Sequence, residues 1–119
     1  MLQRIEVGIA SVEPESLALF WAAALGYQLG EFDSDGIYLD LVPPSPRFPT
    51  VFLQRVSERP KGRNRIHIDL YVSDPDETIA ALLARGASQI GGPQTGSDGG
   101  SWHILADPEG NEFCVCDAG

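Results

Sequence analysis

Alternation and helical spacing take turns along this chain. Ile5, Val7 and Ile9 alternate with Glu6, Gly8 and Ala10, which predicts a strand with one apolar face. Glu13-Pro14-Glu15 follows, with proline where a first helical turn accepts it and acid at the positive end of the helix dipole. Leu17, Phe20, Trp21, Ala24 and Leu25 keep helical spacing and predict a buried stripe. Gly26 stands where a left-handed cap ends such a helix. Strand-like stretches at 27–29, 37–42 and 51–56 come next. Asp33-Ser34-Asp35-Gly36 and Pro43-Pro44-Ser45-Pro46 break them, the prolines because they cannot join a hydrogen-bonded ladder.

The cycle then starts again. Arg65-Ile66-His67-Ile68-Asp69-Leu70 repeats Arg4-Ile5-Glu6-Val7-Gly8-Ile9 at an offset of 61 residues, and Pro14 recurs as Pro75. Ile66, Ile68, Leu70 and Val72 form one face of the predicted strand, with His67, Asp69 and Tyr71 on the other. Asp74-Pro75-Asp76-Glu77 is a capping-box start, Ile79, Leu82 and Leu83 give the helical stripe, and Gly86 stops it. A short strand at 88–90 leads into the glycine-rich 91–100, expected as a mobile loop outside the core. Strands at 102–106 and 112–116 flank Asp107-Pro108-Glu109-Gly110-Asn111, a turn with proline and glycine where their backbone preferences serve it. The order strand–helix–strand–strand–strand thus occurs twice, about 1–57 and about 64–119, within a single domain of 119 residues. A repeat unit of this size does not close its own core, so the two are expected to pack together. The repeat sets Glu6 and His67 at equivalent places and makes a site shared between the halves the first expectation.

Composition narrows the partners. A net charge of −9 argues against nucleic acid and is compatible with a cationic ligand. Arg55, Arg59, Lys61, Arg63 and Arg65 do cluster, with a solvated connection between modules as the plain reading. No apolar run is long enough for a membrane span and no signal-peptide pattern opens the chain, so a cytoplasmic protein is expected. Cys114 and Cys116 are the only cysteines, two apart on one strand face, where reduced thiols are simpler than a bridge.

Phe20-Trp21 with Leu25-Gly26, then His67-Ile68-Asp69-Leu70, then Trp102 through Asp107-Pro108-Glu109-Gly110-Asn111-Glu112-Phe113 together resemble the vicinal oxygen chelate superfamily. That superfamily holds glyoxalase I, extradiol dioxygenases and the fosfomycin and bleomycin resistance proteins. The resemblance covers nearly the whole chain and is nearest to a glyoxalase-like branch often found in bacteria. It implies an α+β fold of two βαβββ modules, their sheets curved around a central cavity, and a homodimer. Metal-using members take ligands from the first and last strand of each module. Carried over by position, these are Glu6, His67, Cys114 where glutamate is usual, and Gln54, or Leu53 if the register slips by one.

Glu6 and His67 suit a divalent ion, and a Cys114 thiolate suits zinc but not magnesium. An iron site of the two-histidine, one-carboxylate kind is disfavoured, since the only other histidine is His103, read as a surface or satisfied residue. The plainer account leaves the cavity metal-free, with Glu6 and His67 as a hydrogen-bonded pair and Cys114 as a small packed residue. Asp69 and Tyr71 share the face of His67, and Trp102 is either a stacking wall or core. Phe20 and Trp21 are read as core. No Ser/His/Asp nucleophile set and no phosphate-cradling loop is present. Two functions compete. The favoured one is a metal-free binding protein of the bleomycin-resistance type, holding a small organic molecule against Gln54, Asp69, Tyr71 and Trp102. The other is a lyase or isomerase using zinc, nickel or manganese at Glu6, His67 and Cys114, with Glu6 and His67 catalytic. Classical glyoxalase I fits poorly, because two ligand positions depart from its pattern.

Overall fold

The computed structural model describes residues 2–59, 61, 62, 64, 66–95 and 101–119. The chain divides into two compact units, Met1–Lys61 and Gly62–Gly119. Each is an α+β unit with one helix and one open four-stranded sheet.

The first unit runs β1 (Glu6–Ser11), α1 (Pro14–Leu25), β2 (Gln28–Phe32), β3 (Tyr38–Val42) and β4 (Thr50–Arg55). Its sheet order is β1-β4-β3-β2, with β1 parallel to β4 and the other pairs antiparallel. The helix begins at Pro14, and Gly26 closes it at φ 71°, a left-handed position that glycine takes without strain. Leu17, Ala18, Phe20 and Trp21 are buried. Burial fades along the last turn, where Ala24 and Leu25 are only half-covered. Ile9, Leu39, Leu41, Val51 and Leu53 are the buried alternate positions of the strands, as the two-residue period requires.

Arg55 belongs to this core's rim rather than to a basic patch. Its guanidinium meets Glu15 at 2.6 Å, donates to the Gly36 carbonyl at 3.1 Å and lies 5.4 Å from the centre of the Phe32 ring. The hydrogen bond from Arg55 holds the Glu15 carboxyl below its usual range. The cluster expected from sequence therefore loses one member, and its Arg63 and Arg65 lie outside the described residues.

The second unit runs β5 (Ile68–Val72), α2 (Pro75–Ala84), β6 (Ser88–Thr95), β7 (Ser101–Ala106) and β8 (Glu112–Asp117). The sheet order β5-β8-β7-β6 repeats the first plan, again with one parallel pair, β5 with β8. The Asp74 carboxylate accepts from the Glu77 N–H at 3.1 Å, the cap the sequence announced. Ile79 and Leu82 are buried, but Leu83 is 39% exposed and leaves the expected stripe. Asp107, 2% exposed, ties the turn between β7 and β8 by accepting from the N–H groups of Glu109 and Asn111 and from the Asn111 amide.

Two expectations are corrected here. Residues 91–95 are strand rather than loop: Gly91, Gln94 and Thr95 pair with Ile104, Trp102 and Ser101 through two register shifts. Glycine serves the irregular edge, since a Cβ on Gly92 would stand 2.7 Å from His103 Nδ1. The rest of the expected loop, 96–100, lies outside the described residues. The strand expected from Ile66 begins only at Ile68, so Ile66 is 88% exposed and His67 precedes β5. No helix among the described residues is long and apolar enough to cross a membrane.

Candidate functional site

Helix α2 packs on the sheet face that carries Phe113 and Val115, which leaves the alternate residues of β8, Cys114 and Cys116, on the opposite face. Strand register then composes two rows across that face. Asp69, Cys114 and Ile104 form one, and Tyr71, Cys116 and Trp102 form the next. Tyr71 and Trp102 stand two strand spacings apart, about 10 Å, with the Cys116 thiol between them. His67 and Asn64 close one end. Together with Glu112 these side chains line a cavity of about 360 Å³ within the second unit.

The polar contacts converge on Asp69. Its Oδ1 lies 2.9 Å from His67 Nδ1, and its carboxylate accepts the Cys114 thiol proton. Burial is the main cause that pushes the Cys114 thiol up to about 11, and the neighbouring Asp69 charge adds to it. The Cys116 thiol is raised for the same two reasons, with the Tyr71 hydroxyl donating to its sulfur in partial opposition. Both cysteines are free, buried and protonated at neutral pH, so neither is an activated nucleophile.

One donor atom each from His67, Asp69 and Cys114 lies within 4.8 Å of the others. Sulfur, imidazole nitrogen and carboxylate oxygen from three residues suit zinc-like ions and leave a coordination position open. The thiol proton has to leave on binding, which ties affinity to pH. The donor set therefore fits a divalent ion, with Asp69 supplying the carboxylate that sequence analysis had assigned to Glu6. Glu6 itself lies in the first unit, where its carboxylate accepts from Arg4 at 3.0 Å.

The first unit shows why the repeated position does not carry the same chemistry. Gly8 pairs with Phe52 as Asp69 pairs with Cys114, and Ala10 pairs with Gln54 as Tyr71 pairs with Cys116. By register, Phe52 is the counterpart of Cys114, and Gln54 that of Cys116. Gln54 is exposed and Leu53 is fully buried, and by register neither of the two positions expected from sequence is the counterpart of Cys114. The Phe52 ring lies directly over Gly8, where a Cβ would come within 2.6 Å of it, and meets Tyr38 edge-on at 5.7 Å. Aromatic rings thus fill in the first unit the space that thiols and a carboxylate line in the second. Gly8→Ala is expected to displace that ring and cost about 1 kcal/mol, the low end for overpacking a movable side chain. Chemical denaturation reads this, and Gly8→Ala combined with Phe52→Leu should recover most of the loss.

Of the residues singled out from sequence, the cavity gathers His67, Asp69, Tyr71, Trp102 and Cys114. Glu6 and Gln54 belong to the first unit. His103 faces away from the cavity and meets the Gln89 amide at 3.2 Å. Cys116, Ile104, Glu112, Phe113 and Asn64 were not anticipated as lining. The two-residue spacing from Cys114 was the available signal for Cys116.

A family model described as a glyoxalase-like domain matches residues 6–116. The chain belongs to the glyoxalase-like domain family. Solved structures agree on the fold. A glyoxalase/bleomycin resistance protein/dioxygenase family enzyme from Burkholderia phytofirmans PsJN superposes with a TM-score of 0.77 at 19% identity, covering 95% of this chain and 96% of that one. A superfamily member from Sphaerobacter thermophilus DSM 20745 gives 0.74 at 22% identity, with 98% of both chains covered. A lactoylglutathione lyase from Agrobacterium tumefaciens gives 0.67 at 14% identity, covering 97% and 92%. A comparison with curated proteins finds no match. At these identities the solved relatives of this glyoxalase-like chain speak for its fold, and its site must be read from its own residues.

Proposed function

We propose that this glyoxalase-like protein binds a small aromatic or cationic organic molecule in the cavity of its second unit. The observation that carries the reading is the lining: Tyr71 and Trp102 flank a cavity of about 360 Å³ whose formal charges come from Asp69 and Glu112, with no Lys or Arg among the described lining residues. That volume lies at the small end of ligand sites. Stacking between the rings and attraction to the carboxylates favour a flat cation over an anion of the same size. The charge of −9 on the whole chain adds a weak, salt-sensitive attraction in the same direction. A thermal-shift panel of cationic and anionic aromatic compounds, including cationic antibiotics, tests it. Cations should raise the melting temperature, and Trp102→Ala and Asp69→Asn should each remove the rise. Equal response to anions, or no stabilisation by any cation, would overturn the reading.

A second reading is favoured by the His67–Asp69–Cys114 cluster. A divalent ion held there, zinc, nickel or manganese, would supply Lewis acidity toward vicinal oxygens of a substrate. His67, Asp69 and Cys114 would each give one ligand atom, and Cys114 would surrender its proton to the solvent. Tyr71 and Trp102 would hold the organic part of the substrate. Equilibrium dialysis against zinc is the test. His67→Ala and Asp69→Ala are expected to weaken binding by about 100-fold or more, since each deletes a ligand whereas loss of an outer-shell partner costs about 10–100-fold. Zinc uptake unchanged in either variant would eliminate this arrangement. We further propose, as the family resemblance suggests, a cytoplasmic homodimer; sedimentation velocity decides its mass.

A further inference from the structure

Both readings above place their chemistry in the second unit, but the first unit has a groove of its own. β1 and β4 run parallel with Glu6 opposite Thr50, so the segments that lead into them, 2–5 and 46–49, emerge side by side. A groove of about 520 Å³ opens there. Leu2, Ile5 and Phe48 meet in it, all of them exposed, and large apolar side chains gathered at one exposed place mark a binding surface. Pro43, Pro46 and Pro49 complete the apolar walls. The Tyr27 hydroxyl donates to the Pro49 carbonyl at 2.7 Å, and the Phe48 N–H donates to the Ser45 carbonyl at 3.2 Å. With the prolines fixing φ, that wall is ordered before anything binds. Arg4 and Arg47 carry the charge of the lining, and no Asp or Glu joins them among the described residues, although the chain holds 17 acidic and 8 basic residues. Arg4 gives one nitrogen to Glu6 at 3.0 Å, and the Arg47 guanidinium lies 5.6 Å from the centre of the Phe48 ring. A guanidinium has several N–H donors, so each keeps some for a ligand.

We propose that this groove binds a medium-chain aliphatic carboxylate, its head on the Arg47 and Arg4 guanidiniums and its chain against Leu2, Ile5 and the prolines. The head follows from charge. Two guanidiniums without an acid in the lining favour an anion, and their planar forks match a carboxylate. The chain follows from the walls, whose apolar surface a hydrated inorganic anion would leave wet. The Phe48 ring already has Arg47 over it and the remaining apolar walls are aliphatic, so the groove offers no second ring to sandwich a flat ligand. This chemistry is the reverse of the acidic, aromatic cavity of the second unit, and the inference does not rest on what that cavity binds.

Isothermal titration calorimetry of the intact protein with octanoate, hexanoate, octylammonium and inorganic phosphate tests it. Octanoate is expected to bind, and hexanoate more weakly by about two- to fourfold for each methylene removed. Octylammonium and inorganic phosphate should give no binding at this groove and should not displace octanoate. Arg47→Gln should weaken octanoate by about tenfold or more, since it deletes a charge-assisted hydrogen bond. Arg4→Gln should weaken it less, because Glu6 already shares that charge. Ile5→Glu changes an exposed position, sets an acid in the groove and should abolish octanoate binding. Trp102→Ala should leave octanoate affinity unchanged, which separates this groove from the second unit's cavity. No octanoate binding, octylammonium bound equally well, octanoate affinity unchanged in Arg47→Gln and Ile5→Glu, or its loss in Trp102→Ala would each overturn the proposal. Far-ultraviolet circular dichroism checks that each variant is folded, and the hexanoate and octylammonium comparisons need no variant at all.

Discussion

The metal-free protein should lose stability between about pH 9 and pH 11, by on the order of 2 kcal/mol, through Cys114 alone. The sign follows from where the proton is held. The folded state pushes the Cys114 thiol from its ordinary value of 9.0 up to about 11, chiefly by burial. The folded chain therefore keeps a proton that the unfolded chain gives up. Below pH 9 both states are protonated and the contribution is fully present. As pH rises toward 11 the unfolded state ionises first and gains free energy relative to the native state. Burial also raises Cys116, so its contribution has the same sign. Urea denaturation in the presence of a chelator at pH 8, 9, 10 and 11 measures the effect, and the difference between wild type and Cys114→Ser isolates it. A pH-independent difference would show that the thiol is not held away from water as the cavity places it. Asp69→Asn should shrink the effect without abolishing it, because desolvation, the larger cause, remains.

Trp21→Ala is expected to cost about 3–5 kcal/mol, the range for emptying a fully buried aromatic position. Trp21 is 1% exposed and stands edge-on to Phe20 at 5.4 Å on the buried side of α1. Small domains are stable by only about 5–15 kcal/mol in total, so this single change removes a large part of the margin. Differential scanning calorimetry should record a melting temperature lower by more than about 10 °C, from about 4–8 °C per kcal/mol in a domain of 60–100 residues. Leu83→Ala, equally apolar in sequence but 39% exposed, should cost less than about 1 kcal/mol. A Trp21 loss as small as that of Leu83 would place the core of the first unit elsewhere.

These expectations divide along what could be read in the chain. Pro14, Gly26, Asp74, Pro75 and Gly86 were legible because caps and first turns depend on neighbours within four residues. Gly26 at φ 71° and the Asp74 cap at 3.1 Å are where local chemistry places them. The edge at 91–95 was misread because glycine and proline signal loops locally, whereas pairing with β7 is a long-range event. Leu83 was misread because helical spacing names an apolar arc, and only the sheet beneath decides how wide a part of that arc is covered.

The repeat by itself determined the two βαβββ units, since alternation, helical spacing and punctuation are properties of the chain; the family was legible only as a resemblance of motifs such as Asp107-Pro108-Glu109-Gly110-Asn111. The chain also placed Asp69 with Tyr71 on one strand face and Cys114 with Cys116 on another, because a strand's period of two admits no other arrangement. Only the tertiary structure decided which residues of different strands stand side by side. Register set Asp69 against Cys114 and Tyr71 against Cys116, made Asp69 the carboxylate beside His67, and gave the place matching Cys114 to Phe52 over Gly8. Register is fixed by packing between distant segments, and a slip of one residue would turn every one of these side chains to the other face.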